Sequence, residues 1–139
     1  MRQAFGEHLK KTNGRGFYDI TPDIRDWLKD QAIKEGLLTI YIQHTSASLL
    51  INENYDSDVL VDLETFFSKL VRDGDSDFIH TTEGEDDMPA HIRTALTQTH
   101  LSIPIYENRL QIGQWQGIFL FEHRYHAHQR KVALHVIGE

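Results

Sequence analysis

The sequence has no cysteine. That absence excludes a disulfide scaffold, a thiolate metal site and a thiol nucleophile, so any metal must rest on nitrogen and oxygen donors. No apolar run is long enough to span a bilayer, and the first residues, MRQAFGEHLKK, lack the apolar core of a secretion signal. A cytoplasmic protein with no membrane partner is the expectation. Positive charge is scarce: Lys and Arg number 14 against 21 Asp and Glu, a formal net charge of −7. With no basic run to track phosphates, no nucleic-acid partner is expected. Repeats, linkers and low-complexity segments are missing as well. At 139 residues and 40% hydrophobic content, the expectation is a single domain, 1–139, with its own core.

What the chain has in excess is histidine, nine in all. Where they fall depends on the order of elements. Arg2 to Lys10 reads as an edge-like strand, followed by the turn cluster Asn13-Gly14-Arg15-Gly16. Thr21 is an N-cap candidate with Pro22 at the first helical position, Ile24, Trp27, Leu28 and Ile33 form an apolar stripe, and Gly36 ends the helix. Leu37 to His44 is apolar at nearly every position, as in a central strand covered on both faces. Leu38, Ile40, Ile42 and His44 share one side of it.

Asp56 or Ser57 can cap a second helix whose stripe is Val59, Leu63, Phe66, Phe67 and Leu70, with Asp58 and Asp62 along its margin. Asp87 can cap a short third helix that carries His91. The last third is rich in strand patterns: Leu101–Ile105, Arg109–Ile112, Trp115–Arg124 and Arg130–Ile137. Together these predict an α+β fold with a β-sandwich core and two or three helices.

Three histidines stand out by their setting: His44 at a strand end, His80 before an acidic loop, and His91 at a helix start. Three imidazoles with an open position suit a catalytic metal, although no His-x-x-x-His pair forces two of them onto one face. His126 and His128, two apart, are a rival pair. Around them lie groups with two readings each. Arg124 and Arg130 are either a phosphate clamp or part of an ion-pair network with Glu122. Glu83, in the run Glu83-Gly84-Glu85-Asp86-Asp87, is either a solvated charge or a general base. Asn52, Asn54 and Asp56 can be explained by turn chemistry. Glu53 is either a base or the carboxylate that holds the following turn.

With these residues laid out, the chain resembles the YjbQ-like family, also called the secondary thiamine-phosphate synthase family. The resemblance rests on HTSASLLINEN at His44–Asn54, Asp56 and Asp62, His80 with Glu83-Gly84, DDMPAHI from Asp86 to Ile92, WQGI at Trp115–Ile118, and Glu122-His123-Arg124 with Arg130. It implies a homotrimer with a polar pocket near a subunit boundary and a divalent metal, zinc or, with a pyrophosphate substrate, magnesium. The metal ligands it implies are His44, His80 and His91. Glu53, Glu83 and Asp62 are the implied catalytic carboxylates. Thr45, Ser46, Ser48, Asn52, Gln116, Arg124 and Arg130 would bind a small phosphorylated ligand. The implied reaction is a low thiamine-phosphate synthase activity, joining a pyrimidine pyrophosphate to a thiazole phosphate. The alternative is a non-catalytic trimer that binds such a ligand or a metal. Gln114 and Ala127-His128 depart from the family pattern near the expected anion end.

Overall fold

The computed structural model describes residues 1–139. Eight strands and three helices follow in the order β1 (Arg2–Asn13), β2 (Gly16–Asp19), α1 (Thr21–Gln31), β3 (Glu35–Ile42), β4 (Ala47–Glu53), α2 (Ser57–Leu70), α3 (Asp87–Leu96), β5 (His100–Tyr106), β6 (Arg109–Leu110), β7 (Gln116–Glu122) and β8 (Ala127–Gly138). They build two antiparallel sheets, one ordered β1-β8-β3-β5-β6 and the other β2-β7-β4. The α+β reading with a two-sheet core is what the chain adopts.

Alternation along the strands places the core. Leu38, Ile40 and Ile42 of β3, Leu101, Ile103 and Ile105 of β5, and Val132, Leu134 and Val136 of β8 face Ala47 and Leu49 of β4 and Ile118 and Leu120 of β7, and Ile24 and Leu28 of α1 complete the same cluster. Burying each such side chain contributes about 1.5–3 kcal/mol. At one end of the sandwich the inward rows change character. β8 gives Arg130 and β7 gives Glu122 as buried positions, with His44 just past the end of β3. A polar end to an apolar core is costly unless every group finds a partner.

Several boundaries differ from the sequence expectations, each for a local reason. α1 starts at Thr21 with Ile20 as N-cap, because Asp19 Oδ1 accepts the Thr21 N–H at 2.9 Å. It ends at Ala32 in a left-handed conformation (φ 53°), and Gly36 lies inside β3. There, a Cβ would meet the Ile137 carbonyl oxygen of β8 at 2.2 Å, so close strand packing is what requires the glycine. β3 is central, but only one of its faces is covered: Leu37 and Tyr41 are 41% and 48% exposed. The run from Ala47 to Glu53 is a strand.

α2 is capped as expected, with Asp56 Oδ1 accepting the Asp58 N–H at 2.9 Å. Between α2 and α3, residues 71–86 form a connection without helix or strand. Loops of that length are uncommon in compact folds and tend to be functional. This one is tied down: Arg15 donates to both oxygens of Asp73 (3.0 Å each), Tyr125 Oη donates to Asp73 Oδ2 (2.5 Å), and the Gly74 N–H donates to the Glu85 carbonyl (3.1 Å).

Candidate metal centre

The tied loop delivers His80 to the start of α3. Asp87 is the first residue of that helix and His91 lies four residues on, so both project from one face. Pro89 sits in the first turn, where its missing N–H costs no hydrogen bond. The result is a compact donor set: one ligand atom each from His80, Asp87 and His91, all within 4.8 Å of one another. Without an ion, His80 Nε2 donates to Asp87 Oδ2 at 2.6 Å, and His91 Nε2 lies 3.4 Å from the same oxygen.

The outer contacts prepare these groups as ligands. His91 Nδ1 lies 2.9 Å from the Thr45 carbonyl, which can only accept, so Nδ1 carries a proton and in the neutral ring Nε2 is the nitrogen with the lone pair. Burial pushes the Asp87 carboxyl upward, but the His80 hydrogen bond, the neighbouring Glu83 and the Arg124 charge hold it below its usual value. Asp87 is 3% exposed while His91 and His80 are 31% and 44% exposed, so the charge lies at the bottom and the imidazoles open towards solvent. Glu83 Oε2 is 3.7 Å from His80 Nε2 at the rim. A cavity of about 350 Å³ beside His80, bordered by Asp75, Thr81, Glu85 and Met88, has room for a small molecule. Two imidazoles and one anionic carboxylate fit a zinc-like ion: the donor chemistry is right, and one imidazole is already fixed in the correct tautomer.

The structure does not bring His44 into this group. His44 Nε2 accepts the Lys131 N–H at 2.7 Å, and its Nδ1 faces Arg130 Nη1 at 3.4 Å. With its only acceptor nitrogen occupied, the ring is held neutral, its pKa lowered by burial and by the Arg130 charge. Asp87 stands where His44 was expected. The sequence did carry a signal for it: Asp87 and His91 have the i,i+4 spacing that was sought only between histidines.

The two arginines are not free to clamp a phosphate. Arg130 is 3% exposed and forks onto Glu122, itself fully buried, with Nε to Oε1 at 2.8 Å and Nη2 to Oε2. Nη2 also reaches Ser46 Oγ at 3.0 Å, so Ser46 is engaged as well. Arg124 donates to Asp86, Asp87 and the Glu83 carbonyl at 2.9, 2.7 and 2.8 Å. The ion-pair reading of both side chains therefore describes their contacts.

Ser48 is fully buried, with Oγ 2.9 Å from His123 Nε2. Burial, with the charges of Arg93, Arg15 and Arg130, lowers the His123 pKa to about 2, and its Nδ1 has no partner. Thr45 reaches the site through its carbonyl.

The remaining expected residues lie elsewhere. Glu53 is at the opposite end of β4, about 20 Å from Ala47 at the usual strand rise. Its Oε2 accepts the Asp56 N–H at 3.1 Å, which is the turn-holding role. Asn52 Oδ1 accepts the Glu53 N–H at 2.7 Å, and Gln116 Oε1 accepts the Gly113 N–H at 2.6 Å. Asp62 is exposed on α2. His126 is exposed and accepts from His128 Nδ1 through its carbonyl at 2.7 Å, so that pair forms no donor set.

Comparison with known proteins agrees with the motif reading. The chain is 50% identical over 128 residues to a UPF0047 protein of Synechocystis sp., covering 92% of this chain and 87% of that one. It is 44% identical over 126 residues to the UPF0047 protein YjbQ of Escherichia coli O157:H7, covering 90% and 91%. Among solved structures, a hypothetical protein from Aeropyrum pernix K1 superposes with a TM-score of 0.88 at 28% identity, covering 98% of this chain and 99% of that one. A YjbQ/UPF0047-family protein from Clostridium acetobutylicum gives 0.85 at 32% identity, covering 94% and 98%. The family described as "UPF0047 protein YjbQ-like" matches residues 7–139, and the chain belongs to it.

Proposed function

We propose that the chain is a divalent-metal protein that holds its ion on His80, Asp87 and His91 and acts there on a small phosphorylated substrate. The observation that carries this reading is the His91–Thr45 bond. It commits the His91 Nδ1–H to a carbonyl, so that in the neutral ring Nε2 is the nitrogen with the lone pair, 3.4 Å from the Asp87 oxygen that His80 contacts. An ion bound there supplies Lewis acidity. Glu83, exposed at the rim and 3.7 Å from His80, is the proposed proton carrier, with the ionised Asp87 beneath it. Thiamine-phosphate synthesis, the reaction the motif resemblance implies, is the specific chemistry proposed within this class.

A trimer is the proposed assembly. Two uncovered apolar faces support it: Phe5, Leu9, Leu37 and Tyr41 on the outside of the larger sheet, and Phe66 and Leu70 on α2, a helix with no buried residue. Sedimentation of a stable monomer at micromolar concentration would rule it out.

A second, non-catalytic reading is favoured by one observation. Both arginines expected to clamp a phosphate are engaged inside the chain, leaving no free guanidinium at the metal group. Turnover decides between the two. Metal-loaded protein is assayed against phosphate monoesters and the two thiamine precursors, with Glu83→Gln alongside. The catalytic reading predicts activity that needs the metal and falls about 10²–10⁴-fold in the variant. Metal binding without turnover would favour the second.

A further inference from the structure

We propose that Arg124 is a positioning residue that sets which ions the His80–Asp87–His91 group accepts, by occupying one oxygen of Asp87. The inference rests on the metal-binding reading above.

Arg124 lies just past β7, where its own N–H donates to Glu122 Oε2 at 3.2 Å. From there the guanidinium crosses to the loop before α3 and meets three acceptors within five residues: Asp86 Oδ2, Asp87 Oδ1 and the Glu83 carbonyl. The Tyr125 N–H adds a second donor to Asp86 Oδ2 at 2.9 Å. With its side chain 11% exposed and its fork committed, Arg124 serves the loop rather than solvent.

The consequence lies in how Asp87 is divided. Oδ1 belongs to Arg124, whereas Oδ2 faces both imidazoles. A carboxylate whose second oxygen is occupied offers a single ligand atom. Zinc is satisfied by two imidazoles and one such oxygen, with its remaining position open. Calcium collects six to eight oxygens and often takes both from one carboxylate. Arg124 thus biases the group towards zinc-like ions. A lysine could contact Oδ1 as a point charge, but it lacks the planar fork that spans all three acceptors.

The test is calorimetric titration of zinc and calcium into parent, Arg124→Gln and Arg124→Lys, with thermal melts as a check on folding. Losing the positive charge strengthens both ions alike and cancels in the zinc-to-calcium ratio. Loss of fold alone would also weaken both together. The proposal predicts that Arg124→Gln narrows the zinc-to-calcium ratio by about tenfold or more, in the range of lost outer contacts. Arg124→Lys narrows it less, and decides the matter if the glutamine variant does not fold. Ratios within about threefold of parent in the folded variants, a difference of only about 0.65 kcal/mol, overturn the inference and leave the metal site standing. A parent chain that binds no zinc defeats both.

Discussion

The two ends of the smaller sheet carry similar polar residues and use them in opposite ways. At the Glu53–Gln116 end, Asn52, Glu53 and Gln116 each bond a backbone N–H within three residues along the chain. At the Ala47–Glu122 end, partners come from distant segments: Arg124 reaches residues about forty positions away, Arg130 reaches Ser46, and His91 reaches Thr45. These local bonds serve the turns in which they sit. Long-range bonds from Arg124 and to Thr45 hold Asp87 and His91 beside His80. Polarity in a sequence therefore does not mark a site; what marks it is polar groups satisfied by distant partners with a lone pair still available.

This contrast can be broken by mutation. The largest stability effect is expected at Arg130. Arg130→Met strands Glu122 in a fully buried position and should cost about 3–5 kcal/mol, measured by urea denaturation. An unchanged midpoint would mean that Glu122 finds another partner.

Next is His123, on the pH axis. Its pKa falls from about 6.5 when unfolded to about 2 when folded, so unfolding takes up a proton across that window. Stability contributed by the neutral ring is present above pH 6.5 and is lost as pH falls, by at most about 1.4 kcal/mol per pH unit. Between pH 6.5 and 4.5, His123→Gln should show a shallower decline than parent, although its stability at neutral pH is lower. Equal slopes would show that His123 protonates within the fold.

The smallest effects belong to the local end. Asp56→Ala removes the α2 cap and should cost about 1 kcal/mol, with metal affinity unchanged. Glu53→Ala should behave alike, losing only the Asp56 N–H bond. A loss of metal or turnover in Glu53→Ala, with the melting temperature preserved, would return Glu53 to the site.

Much of the fold was legible because it is periodic. The strand patterns of the last third and a cap at Asp56 or Ser57 were visible, and the motifs pointed to the family. What failed is what depends on distance. His44 ends the row of Leu38, Ile40 and Ile42 and looked like a ligand, but the pairing of β3 with β8 sets its ring against Lys131 and Arg130. For Arg124 the sequence left a clamp and an ion pair both open, because its three acceptors lie on a loop that no local pattern places beside it. Asp87 was read as a helix cap, although its spacing to His91 already put both on one face. Asn52 and Gln116, substrate contacts on the resemblance, accept backbone N–H groups close by, and for Asn52 turn chemistry was the reading of the residues themselves.

The most direct measurement is zinc titration of four proteins: parent, Asp87→Ala, His91→Ala and His44→Ala. The account predicts one ion per chain in parent and in His44→Ala, with affinity in Asp87→Ala and His91→Ala reduced by more than the about 100-fold that outer contacts produce. Zinc lost in His44→Ala but retained in Asp87→Ala would contradict it, and would return the ligand set to the three histidines.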